Sequence, residues 1–288
     1  VLVHENVFAA AGGPPKEKPE GSLMQADKLE MASEILWEAW QAGTAIDDLP
    51  EGLAPRTREE GYAIQALLEE RSRKLLFGWK IAATSEAGQK HIAVGGPMAG
   101  RLLAESVFED GATLDLAGNR MRVAEPEFAF RFARDLEPRG TPWSVAEVLD
   151  AVATLHPAIE IPDSRFADFV IAGEARLIAD NACGHQFVLG AATEADWCNV
   201  DLVTHKVHAE VADRYVRDGA GINVLGDPRV ALAWLVNEVT GMGLTVRTGQ
   251  VVTTGICMTP LEIRPGDTVR AEFGILGSVG VRLAPAAG

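Results

Sequence analysis

The stretch "VAEPEFAF", residues 123–130, sets Glu125 and Glu127 one residue apart among apolar side chains. In a strand both would point to one face, with Ala124, Pro126, Phe128 and Phe130 on the other. Their backbones would stand about 6–7 Å apart, so the carboxylates could converge on one cation. Two such groups repel unless something positive lies between them, and a hard divalent ion is the natural companion. The plainer reading is a half-solvated strand with its polar face outward. A second apolar segment, "HPAIEIPDSRF", carries Glu160 between Ile159 and Ile161, with Asp163 at its end. A third carboxylate would complete an oxygen face for Mg²⁺ or Mn²⁺ and leave positions for water and substrate. Lys80 lies in "FGWKIAAT", where a buried amine needs a partner or a role, unless it snorkels from an edge strand.

Other polar clusters carry less. "IADNACGH" holds Asp180, Asn181, Cys183 and His185, readable as a loop with Asx turns or as a substrate-facing loop. "VVTTGICMTP" ends a valine-rich strand with Thr253, Thr254 and Gly255, whose hydroxyls and amides could hold a carboxylate. "GGPMAGRL" offers backbone amides and Arg101, next to Leu102, for an anion. No phosphate loop, zinc spacing or nucleophile elbow is present. His91 and His185 are isolated and read as structural.

These residues need rigid elements to hold them. Residues 1–24, with "GGPPKEKPEG", read as a flexible tail. Residues 25–76 form a helical region, one helix ending near Gly43 and a second capped by Thr57 with Glu60 in capping-box position. From residue 77 to 288 short strands alternate with Gly, Pro and Asp turns. Two helices interrupt them, one from a Ser144 cap across "SVAEVLDAVATLH" and one from Asp227 and Pro228 to Gly241. The class is α+β: a large mixed β-sheet or β-barrel-like body with an N-terminal helical region. Lys plus Arg number 26 against 41 Asp plus Glu, a net charge of −15 that argues against nucleic acid and anionic membrane as partners. No apolar run is long enough to span a bilayer. Three scattered cysteines, Cys183, Cys198 and Cys257, fit a reducing compartment, with the cytoplasm as default.

In order, "GWKIAATS", "AEPEFAF", "AIEIPDSRFADF", "ADNACGHQFVLG", "GINVLGDPRVALAWLVNEV", "GQVVTTGICMTPLEIRPGD" and "GILGSVGV" resemble the 2-keto-4-pentenoate hydratase family. That family belongs to the fumarylacetoacetate hydrolase superfamily, and the likeness spans roughly residues 26–284. The resemblance implies bound Mg²⁺ or Mn²⁺ on Glu125, Glu127 and Glu160. It places the catalytic lysine at Lys80 and a second catalytic position at Asp180. Asn181, Thr254, Gly255 and Ser278 then contact substrate, and Arg101 and Leu102 join them as substrate-binding candidates from the residues themselves. The implied reaction is hydration of a small 2-keto or 2-hydroxy unsaturated acid, of the 2-hydroxypenta-2,4-dienoate type, to a 4-hydroxy-2-keto acid. Decarboxylation of a 4-oxalocrotonate-like acid and acylpyruvate-type C–C hydrolysis are alternatives on the same scaffold, and a non-catalytic partner subunit is a further one. Homo-oligomers and association with a related decarboxylase or hydratase are also implied. The family's Glu-Ala-Glu is here Glu125-Pro126-Glu127, and its Gly-Leu-Thr is Ala82-Ala83-Thr84. Cys183 stands where serine is frequent. Proline in a strand favours an edge or a bulge.

Overall fold

A computed structural model of the protein describes residues 24–286. The tail expected over residues 1–24 lies, apart from Met24, outside the described residues. Among the described residues there are seven α-helices: α1 (Ala26–Ala42), α2 (Arg58–Ala66), α3 (Leu68–Ser72), α4 (Glu86–His91), α5 (Val145–Leu149), α6 (Glu174–Ala179) and α7 (Pro228–Gly241). The strands are β1 (Leu76–Ala82), β2 (Met98–Leu103), β3 (Val107–Glu109), β4 (Thr113–Leu114), β5 (Val123–Phe132), β6 (Val152–Ile161) and β7 (Gln186–Leu189). They continue with β8 (Lys206–Val211), β9 (Tyr215–Ala220), β10 (Val251–Ile256), β11 (Leu261–Glu262), β12 (Thr268–Glu272) and β13 (Ser278–Leu283). None of the described helices is long and apolar enough to cross a membrane.

The α+β class and the mixed-β body are as the sequence predicts. A larger sheet runs β2-β1-β10-β5-β6-β7-β3, with β11 also pairing β5, and a smaller one runs β4-β13-β12-β8-β9. Ala124, Phe128 and Phe130 of β5, Ile159 of β6, and Trp79 and Ile81 of β1 face the main core. There they meet the second sheet through Val269, Ala271 and Val279. Phe128 and Phe273 touch edge to face across this interface, 5.1 Å between ring centroids. The alternate residues of β1, β5 and β6, Lys80, Glu125, Glu127 and Glu160, share the opposite face.

Several boundaries differ from the sequence reading, each for a local reason. Gly43 does end α1, in the left-handed region at φ 61°. Thr57 caps α2 by accepting from the Glu60 N–H, but Glu60 turns its carboxylate to the Arg56 N–H, and the helix breaks at Leu67. The helix from Ser144 has its capping box with Glu147 but stops at Leu149. Its expected second half, from Val152, is β6, because that run pairs with β5 on one side and β7 on the other. "GGPMAGRL" is not an anion-binding loop: residues 98–103 form β2, paired to β1.

One close approach holds the larger sheet together. A Cβ on Gly78 of β1 would meet the Val251 carbonyl oxygen at 1.8 Å. Backbone cannot yield as a flexible side chain does, so Gly78→Ala should destabilise the protein by about 3 kcal/mol, the upper end of ordinary overpacking. Urea unfolding checks this; an unchanged midpoint would refute the close packing of β1 on β10.

Candidate metal centre and cavity

Antiparallel register sets Glu125 directly opposite Glu160, with Glu127 two residues along the same face of β5. Each of the three offers a carboxylate oxygen within 4.8 Å of the others. Glu127 and Glu160 are fully buried and Glu125 is half-buried. Lys80 arrives from β1, with Nζ 3.0 Å from Glu160 Oε1 and donating a 2.9 Å hydrogen bond to the Ala182 carbonyl. The Glu160 contact is one of charge, without hydrogen-bond alignment at that oxygen. β1 and β6 are three strands apart, about 14 Å on a flat sheet. The Lys80–Glu160 contact therefore requires the sheet to curl with this face concave.

Pro126 sits in a central strand, not at an edge. Its carbonyl accepts from the Cys257 N–H, so its nitrogen faces the same neighbour. That neighbour changes there from β10, ending at Ile256 opposite Glu127, to β11, starting at Leu261 opposite Ala124. The missing N–H falls where the ladder is already interrupted, and the register shift lies in β10, between Thr253 and Ile256.

That shift decides what Thr253, Thr254 and Gly255 do. The Thr253 hydroxyl and the Gly255 N–H (2.9 Å) both donate to Glu127 Oε2. They hold a protein carboxylate, one of the three acids of the cluster. Gly255 has φ 92°, and a Cβ there would press on the Thr84 side chain. The Thr254 hydroxyl is spent on the Phe128 carbonyl at 3.0 Å.

The other expected contact residues also have partners within the fold. Arg101 pairs with Trp79 across β1 and β2, on the face away from Lys80, and its guanidinium binds Glu69 and Gln65 over the Trp79 ring. Leu102 lies on the Lys80 face but belongs to an apolar cluster with Ala129, Ala158, Phe187 and Val251. Asp180 is buried in an ion pair with Arg165 and accepts from the Ser164 hydroxyl at 2.6 Å. Asn181 binds edge strand β2 as another strand would, its amide bridging the Arg101 N–H and C=O. Ser278 begins β13 in the second sheet, its hydroxyl taken by Arg270. Asp163 is held by the Arg120 and Met121 N–H groups.

Asp180 and Asn181 matter to the site through a turn. Asn181, Ala182 and Cys183 have φ of 55°, 49° and 60°, three successive non-glycine residues in the left-handed region. Such backbone persists only when its surroundings over-determine it. Here Arg165, Asp180 and the Asn181 amide do so, and the product is an Ala182 carbonyl aimed at Lys80. Arg165 carried no sequence signal for this, since its partner follows 15 residues later in a different element.

A cavity of about 1080 Å³ opens in front of Lys80 and Glu125, bounded also by α4, Phe169, Ile222, Asn223, Leu225, Gly226 and Met258. Ser85, the cap of α4, was a legible signal for that wall. Cys183 reaches the cavity, and burial and then Asp180 push its thiol up to about 12. His185 accepts from the Trp40 indole, and burial and then Arg165 lower it to about 4.

No protein-family model matches the chain. It is 30% identical over 259 residues to a 2-keto-4-pentenoate hydratase of Paraburkholderia xenovorans (strain LB400), covering 89% of this chain and 95% of that one. The chain belongs to the 2-keto-4-pentenoate hydratase family. A family relative from a Pseudomonas species, 31% identical over 88% of this chain and 96% of its own, is a 4-oxalocrotonate decarboxylase. The solved 4-oxalocrotonate decarboxylase from Pseudomonas putida G7, complexed with magnesium and adipate, superposes with a TM-score of 0.82 at 25% identity. That match covers 91% of this chain and all of that one. Membership in the hydratase family makes the chain an enzyme, a lyase.

Electrostatics agrees with a cation-binding centre in this family member. Burial, then the charge of Glu160, pushes Glu125 up to about 7, against the pull of Lys80. Glu127 is driven well above the usual carboxylate range by the same causes, and burial also raises Glu160. Burial works against a charged Lys80, but Glu160, Glu125 and Glu127 outweigh it and hold the amine above its ordinary value. An acid whose folded pKa is raised stabilises the fold fully below its unfolded pKa and loses that contribution as pH rises through the folded one. Metal-free protein should therefore melt several degrees lower at pH 8 than at pH 5. Mg²⁺ or Mn²⁺ should raise Tm far more at pH 8, where it competes with fewer protons. Scanning calorimetry with and without EDTA checks both; a metal effect independent of pH would refute this coupling.

Proposed function

We propose that the protein is a divalent-metal-dependent hydratase of a small 2-hydroxy-2,4-dienoate, with Glu125, Glu127 and Glu160 as the metal ligands and Lys80 as the catalytic amine. The observation carrying this reading is the carboxylate triad itself. Glu127 Oε1 and both Glu160 oxygens are buried without a hydrogen-bond partner, as expected of donors awaiting a cation. An all-oxygen donor set suits Mg²⁺ or Mn²⁺. When bound, the ion supplies positive charge that stabilises negative charge developing at the substrate's C2 oxygen.

The chain's own groups do the rest. Lys80 donates one N–H to the Ala182 carbonyl and lies 3.0 Å from Glu160 Oε1 as an ion pair, which leaves N–H capacity for a substrate in the cavity. Held charged, it is a donor: it binds the substrate carboxylate or delivers a proton to C5 as the dienol loses its O2 proton. The resulting 2-keto-3-enoate takes hydroxyl from water at C4 and a proton at C3, giving the 4-hydroxy-2-keto acid. Thr253 and Gly255 fix the Glu127 carboxylate, and the turn at Ala182 fixes Lys80, so neither must reorganise during the reaction.

Decarboxylation of an oxalocrotonate-like acid is the second reading, favoured by the decarboxylase among the relatives and by the similar solved structure. Both reactions need the same charge at C2. Ultraviolet absorbance with product mass separates them: substrate plus water supports hydration, and loss of CO₂ without water uptake overturns it. Self-association, pairing with a related decarboxylase or hydratase, and a cytoplasmic setting go with this proposal; light scattering of the purified protein tests the first.

A further inference from the structure

The cavity is larger than a five-carbon acid needs. Its roughly 1080 Å³ lies just above the range that accommodates drug-sized ligands, about 300–1,000 Å³. Much of its lining is apolar: Ile92, Phe169, Ile222, Leu225, Ile256 and Met258 all contribute. Ile222 is 57% exposed, and Ile92, Phe169, Leu225 and Ile256 are only half-buried. Apolar side chains left open around one concave space mark a ligand surface. The charges are equally telling. Among the described lining residues Lys80 is the sole lysine or arginine, and it is engaged with Glu160 and Ala182. The other basic side chain is His91, whose ring lies edge-on to Phe169. Glu86, on the same helix, adds negative charge.

We infer that the far part of the cavity takes an apolar tail, so that the substrate is a monocarboxylate 2-hydroxydienoate extended beyond C5 by an alkyl or aryl group, not a dicarboxylate. This rests on the proposed reading of Lys80 and the triad as the end that holds the 2-keto acid. A second carboxylate would leave water for a space with no guanidinium or free ammonium to receive it, and would approach Glu86. A hydrocarbon tail meets surface that is already exposed and gains by covering it.

Titration calorimetry of the Mg²⁺-loaded protein with saturated 2-oxo acids tests this without turnover. The series is 2-oxobutanoate, 2-oxohexanoate and 2-oxooctanoate, with 2-oxoadipate as the six-carbon dicarboxylate. The expected result is a roughly fourfold gain in affinity per buried methylene, with 2-oxohexanoate binding more tightly than 2-oxoadipate. Ile222→Arg, at an exposed position that admits a long side chain, should reverse the order of the six-carbon pair. A flat series or an unreversed order in the variant overturns the apolar-tail assignment while leaving the hydratase reading intact; tighter binding of 2-oxoadipate to the unaltered protein overturns the assignment and favours the decarboxylase reading. Failure of every 2-oxo acid to bind overturns both.

Discussion

Glu160→Ala is expected to remove metal-dependent turnover and to weaken Mg²⁺ or Mn²⁺ binding by more than about a hundredfold. Loss of groups that merely orient metal ligands already costs about 10–100-fold, and Glu160 is proposed as a ligand itself. Both its oxygens are buried and neither has a hydrogen-bond partner. It is also the neighbour that holds Lys80 charged most strongly. Removing it takes one carboxylate from the cation and deprives Lys80 of its near ion pair at 3.0 Å. Glu125→Ala should lose turnover as well, because Glu125 faces Glu160 in register and opens to the cavity. Calorimetric metal titration alongside the absorbance assay separates lost binding from lost chemistry. Full activity in both variants would sink the metal assignment.

Arg165→Met should destabilise the protein by about 3–5 kcal/mol, the usual cost of leaving one member of a buried ion pair unpaired. Arg165 is 2% exposed and Asp180 1%. Beyond that pair, Arg165 donates to the Asp180 and Gly184 carbonyls and lies over the Trp40 ring. The turn it anchors carries the Ala182 carbonyl, so the folded fraction of the variant should also turn over more slowly. The double variant Arg165→Met with Asp180→Leu should recover part of the stability, since no uncompensated charge then remains buried. It should not recover activity if the pair positions the turn. Urea unfolding and turnover per folded molecule check the two effects separately, and equal stability of Arg165→Met and the parent protein would refute the anchoring role.

Legibility followed the range of the interaction. Glu125, Glu127, Glu160 and Lys80 stood out because each is a charge inside an apolar, strand-like run, a conflict that is local. The caps at Ser144 and Asp227 and the stop at Gly43 were legible for the same reason: a cap acts within one turn of its helix. The β6 half of "SVAEVLDAVATLH" was not, because strand pairing with β5 and β7 overrode a run that its own pattern made helical. Arg101, Asp180, Asn181, Thr254, Gly255 and Ser278 bond to partners in other elements of the fold. The sequence and its family resemblance offered Asp180 as a catalytic position and the others as substrate contacts; the fold adds an internal partner for each, which no local pattern shows.

By itself the sequence determined the charge inventory, the α+β class and the strands that carry the acids, all of which follow from composition and from periods of two and 3.6 residues. Only the tertiary structure decided which face those strands share. Register brings Glu125 opposite Glu160, sheet curl brings Lys80 across three strands, and the left-handed turn at Ala182 meets it there. The physical reason is that side-chain convergence depends on pairing between segments distant in sequence, which no local period encodes. The apolar cavity wall belongs to the same category: Phe169, Ile222 and Met258 come from three separate stretches of chain, and only folding places them around one space.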